Sequence, residues 1–152
     1  MDTLRLAIVG LHNHYHAYPM AEYLKRGIPG ASLAAVCDER EDYAEKFAAR
    51  FGAASSCTDY RRLRDRTDID AAIITSYTTA HARQVEDFAA AGKHILLDKP
   101  IAASREDAQR IVKAVERHKV KLLMAHLLRY MPAYRRVKEL VREGVIGTPV
   151  SA

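Results

Sequence analysis

The sequence predicts an α/β fold: a doubly wound parallel sheet with helices on both faces. Three observations carry that expectation. Short runs that are apolar throughout recur along the chain, and such runs suit strands covered on both sides. Stretches with apolar residues at helical spacing fall between them, and this alternation winds a parallel sheet through right-handed crossovers. Glycine, proline or aspartate punctuates the joins.

The first run, Leu4–Val9, ends at Gly10 and leads through Leu11-His12-Asn13-His14-Tyr15 into a helix. The second, Ala31–Cys37, is opened by Pro29-Gly30 and closed by Asp38. Tyr43, Ala44, Phe47, Ala48 and Phe51 then share one helical face, which Gly52 ends. Ala71–Thr75 is the third strand. Thr78 and Thr79 are N-cap candidates for the next helix, whose inward face is Ala82, Val85, Phe88 and Ala89 and whose stop is Gly92. His94–Leu97 is the fourth strand. Ser104-Arg105-Glu106-Asp107 resembles a capping box with Asp in place of Glu or Gln. It opens a helix with Ala108, Ile111, Val112 and Val115 inward. Lys121–Ala125 is the fifth strand, and Pro132 fits the first turn of a last helix reaching about Gly144.

A length of 152 residues suits one domain with a sizeable core. An apolar fraction of 49% and a charged fraction of 28% are ordinary for a soluble protein. No apolar run approaches the roughly 20 residues of a membrane span, and Met1-Asp2-Thr3-Leu4-Arg5 does not open a secretion signal. Cys37 and Cys57 are too few for a disulfide framework or a four-ligand zinc site, so a reducing cytoplasm is the expected compartment. The net charge of +5 is spread over several helices. No basic stripe with interleaved aromatics appears, which argues against a nucleic-acid partner. There is no internal repeat and no low-complexity segment.

In open parallel sheets ligands bind beyond the carboxyl ends of the strands. After the first strand, a dinucleotide fingerprint wants glycine at positions 10, 12 and 15, and only Gly10 is present. The strand still runs through a tight turn into a helix, whose N–H groups can hold a phosphate. His12, His14 and His16 alternate there, which raises a metal-dependent hydrolase using His12 and His14 as the alternative. Against it, the barrels that carry such sites need about 250 residues, and no acidic residue stands in the strand or turn just before His12. Asp38, 28 residues beyond Gly10, reads either as the acid that accepts from an adenosine ribose or as a helix N-cap. Arg40 keeps a phosphorylated ribose open. Lys99 lies between Asp98 and Pro100 at the end of a buried strand. In a cleft it could hydrogen-bond a substrate hydroxyl and help move its proton; in a turn it would be a surface ion pair.

Taken together, "LAIVGL", "LAAVCDER", "AAIITS" followed by His81, "AAGKHILLDKPIA" and "RYMPAYRRVKELVREGVIGTP" resemble the Gfo/Idh/MocA oxidoreductases across essentially the whole chain. The resemblance implies a Rossmann-like domain that binds NAD or NADP, with Asp38 leaning toward the first and Arg40 toward the second. The turn Gly10-Leu11-His12-Asn13-His14 would hold the pyrophosphate and Asp38 the ribose. Ser76, Thr78 and His81 would line the nicotinamide side. Lys99, with Asp98 beside it, would contact substrate and cofactor in hydride exchange with a sugar- or polyol-like hydroxyl carbon. The sequence departs from the family pattern at His12 and Tyr15 (glycines), Asp98 (Glu), and Thr78 and Leu127 (Asn). The family's length implies that residues 1–146 form the dinucleotide-binding domain and 147–152 begin a second, substrate and oligomerisation domain. A non-catalytic nucleotide-binding module is the other reading that fits the lost glycines.

Overall fold

Alternate residues of the central strands serve opposite faces of one sheet. Ala7 and Val9 pack into one core layer while Ile8 packs into the other. Ala35 and Cys37 divide from Val36 in the same way, as do Ala72 and Ile74 from Ile73. Burial on both sides explains why these runs are apolar throughout. The computed structural model describes residues 3–151. Met1 and Asp2 of the N-terminal stretch and Ala152, the last residue of the 147–152 segment, lie outside the described residues.

The elements are β1 (Leu4–Val9), α1 (Ala17–Lys25), β2 (Ala31–Cys37), α2 (Glu41–Phe51), β3 (Ser55–Cys57), α3 (Arg61–Arg64) and β4 (Ala71–Ile74). They continue with α4 (His81–Ala90), β5 (His94–Leu97), α5 (Arg105–His118), β6 (Leu122–Met124) and α6 (Pro132–Arg142). The strands form one parallel sheet in the order β3-β2-β1-β4-β5-β6. Chain direction across the sheet therefore reverses at β1, and the crevice between the tips of β1 and β4 is its switch point. Among the described residues no helix is long and apolar enough to cross a membrane.

One layer is built by α1 and α2 through Ala21, Leu24, Phe47 and Phe51; the other by α4 and α5 through Val85, Phe88 and Ile111. Full burial of a side chain such as Phe88 contributes roughly 1.5–3 kcal/mol. Gly52 ends α2 in the left-handed region, at φ 75°, as a C-terminal glycine should. Several expectations are corrected. Thr78 and Thr79 do not cap α4, because Thr78–Ala80 winds into a 3-10 turn and Ala80 stands at the cap. Asp38 does not cap α2, whose cap is Arg40. The Ser104 hydroxyl accepts from the Asp107 amide, but Asp107 turns to Arg110 instead of returning the bond. Val112 faces solvent. The strands end one residue early at Ile74 and Met124, and β6 begins one late, at Leu122.

Arg5 and Asp70 tie the start of β1 to the approach of β4. The Asp70 carboxylate accepts from Arg5 N at 2.7 Å, Nε at 3.0 Å and Nη2 at 2.8 Å. The Arg5 guanidinium and backbone amide hold the Asp70 carboxyl down to about 2. A carboxylate depressed on folding adds stability that is complete above its unfolded value of about 4, and that is lost as pH falls through the folded value. Stability should thus decline between about pH 4 and pH 2. Urea unfolding of Asp70→Asn across that range should give a flatter decline than wild type; equal slopes would remove the pair as a cause.

Candidate cofactor-binding and active site

A cleft of about 650 Å³ opens over the tips of β1, β2 and β4. Its floor is Val9, Gly10 and Cys37, and its walls include His12, Asp38, Arg40, Ser76 and Tyr77. Gly10 is there because nothing larger fits. It adopts φ +81°, and a Cβ on it would stand 2.4 Å from the Ser76 Cα. The two strand tips are locked together by Thr75, whose hydroxyl donates to the Gly10 carbonyl, and by the Thr75 amide, which donates to Val9 O at 2.8 Å.

Asp38 leaves β2 buried, with its side chain 7% accessible. Its Oδ2 accepts from the Leu11 amide at 3.0 Å, and its Oδ1 from the Arg40 amide at 3.1 Å and Arg40 Nε at 3.3 Å. One carboxylate thus fixes both the turn after β1 and the entry to α2, while still lining the cleft. The Arg40 guanidinium lies over the Tyr43 ring, 4.1 Å from its centroid, and the Tyr43 hydroxyl donates to Leu11 O at 3.2 Å.

The turn after β1 satisfies most of its own amides. Asn13 O accepts from the amides of His16 at 3.1 Å and Ala17 at 2.9 Å. His14 N reaches His12 O at 3.0 Å, and Tyr15 N reaches Asn13 Oδ1 at 3.2 Å. Only the His12 and Asn13 amides in this turn lack a partner among the described residues. The three histidines diverge. His12 stacks on Tyr77 at 3.9 Å between centroids, closing across the switch point. His14 is exposed beside Tyr18. His16 Nδ1 meets Asp98 Oδ1 at 2.5 Å. The hydrolase alternative loses its ligand set by this divergence, and it loses its barrel to an open sheet.

Asp98 is the most enclosed acid of the site, 2% accessible. Besides His16 it accepts from Asn13 Nδ2 at 2.6 Å and from the Lys99 amide at 2.7 Å. Asn13 and His16 so clamp the turn after β1 to the tip of β5. The Lys99–Pro100 peptide is cis. The Lys99 side chain is exposed, with no hydrogen bond or ion pair among the described residues. The ion pair that one reading of this turn expected is not formed, and the ammonium is available.

The expected site residues thus fall into two groups. Gly10, His12, Asp38, Arg40 and Ser76 line the cleft; Leu11, Asn13, His14, Thr78, His81, Asp98 and Lys99 do not. Thr78 yields its place to Thr79, the next residue of the 3-10 turn. His81 is a brace. It is 1% accessible, and its ring nitrogens face the carbonyls of Ser76, Pro100 and Ile101 at 3.1–3.3 Å. Tyr60, Arg61, Tyr77, Arg83 and Gln84 also line the cleft, and sequence reasoning missed them. Gln84 accepts from the Ser76 hydroxyl at 2.5 Å. Its position on the inward side of α4, one residue before Val85, was the available signal.

Residues 4–126 match the family described as GFO_IDH_MocA, oxidoreductase family, NAD-binding Rossmann fold. The chain is 36% identical over 130 residues to inositol 2-dehydrogenase 3 of Saccharopolyspora erythraea, covering 85% of this chain and 38% of that protein. It is 30% identical over 149 residues to the scyllo-inositol 2-dehydrogenase (NAD(+)) of Bacillus subtilis, covering 97% and 42%. The crystal structure of scyllo-inositol dehydrogenase from Lactobacillus casei, with bound NAD(H) and scyllo-inositol, superposes with a TM-score of 0.88 at 27% identity, covering 96% and 43%. The chain spans about two fifths of the length of these relatives.

Proposed function

The chain belongs to the Gfo/Idh/MocA oxidoreductases, as their NAD-binding Rossmann domain, and from that premise we propose that it holds the cofactor of a dehydrogenase acting on a sugar or polyol hydroxyl. The observation that carries this reading is the cleft at the sheet's switch point, where Gly10, Asp38 and Ser76 converge from three strand tips. The donor set fits a dinucleotide. The unpartnered amide of His12, which lines the cleft, would serve its pyrophosphate, and the remaining acceptor capacity of Asp38 its ribose. When bound, the nicotinamide takes or gives the hydride.

Lys99 supplies the positive charge beside the reacting hydroxyl and holds or releases its proton at Nζ. Asp98 contributes by fixing the Lys99 amide and the turn, not by touching substrate. Residues 147–152 begin the second domain in this reading, and the exposed Leu128, Tyr130, Tyr134 and Val137 on and before α6 are the surface it covers. That domain completes the substrate site and the oligomer. The compartment is the cytoplasm, which suits two unbridged cysteines.

NAD is the preferred cofactor, because the Asp38 carboxylate opposes a ribose phosphate. Titration calorimetry with NAD⁺, NADH, NADP⁺ and NADPH tests this. Micromolar to sub-millimolar binding led by the NAD pair is the expected result; no binding by any of the four would overturn the cofactor reading. Asp38→Asn should shift the NAD-to-NADP affinity ratio about tenfold toward NADP, about 1.4 kcal/mol, because Arg40, Arg61 and Arg83 remain in the cleft. An unchanged ratio would assign selectivity to another residue.

A further inference from the structure

Two cysteines stand at the β2 and β3 side of the cleft, Cys37 on its floor and Cys57 just before its wall residues Thr58 and Asp59, and hydride transfer uses neither. Cys37 closes β2 and Cys57 closes β3, and the two are register partners in a parallel pair. Register partners project to the same face of a sheet, and both stand in the core layer of α4 and α5. Neighbouring strands lie about 4.8 Å apart, within the Cα separation of about 4.4–6.8 Å that a disulfide spans. Both cysteines are free. Cys37 is buried, whereas Cys57 is half-buried on the edge strand, so a reagent arrives from its side.

The same residues hold the cleft by their backbones. The Cys37 carbonyl accepts from the Gly10 amide at 2.9 Å, and the Cys57 carbonyl from the Asp38 amide at 3.2 Å. Cys37 also forms part of the cleft floor, and Thr58 and Asp59, which follow Cys57, form part of its wall. The neighbouring Cys37 thiol, aided by Arg62 and Arg66, draws the Cys57 thiol below its ordinary value, while proximity to Cys57 and burial push Cys37 upward; in the thiol form Cys57 Sγ donates to the Asp59 carbonyl at 3.5 Å. Cys57 is therefore the nucleophile of the pair.

We propose that Cys37 and Cys57 are an oxidisable dithiol, joined to a disulfide by a hydroperoxide, and that the disulfide weakens dinucleotide binding. The second clause rests on the cofactor reading above. In the first step the Cys57 thiolate attacks a peroxide oxygen, the O–O bond breaks, and the departing oxygen leaves as alcohol or water after taking a proton. In the second, the Cys37 thiol attacks the Cys57 sulfenic sulfur, the S–S bond forms, and water leaves with the Cys37 proton. Two thiols are oxidised by two electrons and one hydroperoxide is reduced. The Cβ atoms of a disulfide stand about 3.8 Å apart, closer than the strand spacing, so closing the bond pulls these two Cβ atoms together and moves the carbonyls that hold Gly10 and Asp38.

The test treats the full chain with stoichiometric hydrogen peroxide and reads intact mass, peptide mapping and NAD⁺ affinity before and after dithiothreitol. The expected product is about 2 Da lighter, with Cys37 and Cys57 in one linked peptide pair. Its affinity for NAD⁺ should be lower by about fivefold or more and restored on reduction. Cys37→Ser should instead accumulate oxygen adducts on Cys57, and Cys57→Ser should leave Cys37 as thiol. Separate oxygen adducts on each wild-type cysteine, or no reaction, would overturn the dithiol. A disulfide that leaves NAD⁺ affinity unchanged would overturn the coupling. If the reduced chain binds no dinucleotide, the cofactor reading fails while the mass arm still decides the dithiol.

Discussion

Replacing Gly10 with alanine is expected to lower the melting temperature by about 10 °C and to remove dinucleotide binding. Two effects add. The residue sits at φ +81°, and the left-handed region costs an L residue roughly 1–2 kcal/mol. The new Cβ would also stand 2.4 Å from Ser76 Cα and 2.6 Å from Ser76 N. Backbone cannot rotate aside as a side-chain tip can, so the tips of β1 and β4 must part; overpacking of this kind costs about 1–3 kcal/mol. Together they give about 2–5 kcal/mol, and each kcal/mol is worth about 2–4 °C at this size. Parting these tips also displaces Thr75, which locks them, and the His12–Tyr77 stack above them. Thermal unfolding and calorimetry read both effects. A Gly10→Ala chain that melts and binds as wild type would show that the crevice is looser than its geometry indicates.

The second large effect is expected at Asp98. Asp98→Ala removes the acceptor of His16, Asn13 and the Lys99 amide at once. Each donor left without a partner at a buried position costs about 1–3 kcal/mol. Because the His16 side chain is 13% accessible, water recovers part of the loss, and the net is about 3 kcal/mol. The turn after β1 then loses its anchor on β5, and NAD⁺ affinity should fall about tenfold. Asp98→Asn keeps the volume and one acceptor and should lose about half as much stability. Urea unfolding of both variants beside a binding titration separates the outcomes. Full loss of stability with unchanged affinity would mean that the turn holds its shape without β5.

Much of the fold was legible because burial on both faces leaves its mark in composition. Leu4–Val9, Ala31–Cys37 and His94–Leu97 are strands with the expected limits. Ser55–Cys57 escaped because a three-residue, half-buried edge strand needs no apolar run. The short α3 escaped because its residues Arg61–Arg64 carry one buried side chain, Leu63. For the site, the strand-end rule led to Gly10 and Asp38, and the family resemblance to Ser76. It could not identify the role of His16, whose contact with Asp98 is made through the fold, just as Asn13 meets Asp98 across 85 residues of sequence. Nor could it separate His81 the brace from a cleft residue, since both uses place a polar side chain in the first turn of a helix.

The division of each central strand between two core layers has an evolutionary consequence. Ile8, Val36 and Ile73 answer to Phe47 and Phe51 on one side, while Ala7, Ala35 and Ala72 answer to Val85 and Phe88 on the other. Residues that share no partner change stability nearly independently, so a substitution in one layer constrains few choices in the other. The α1–α2 layer can then be reshaped for a different turn after β1 while the α4–α5 layer keeps its own packing. A turn with His12 and Tyr15 at the fingerprint's glycine positions is thereby compatible with an unaltered α4–α5 layer.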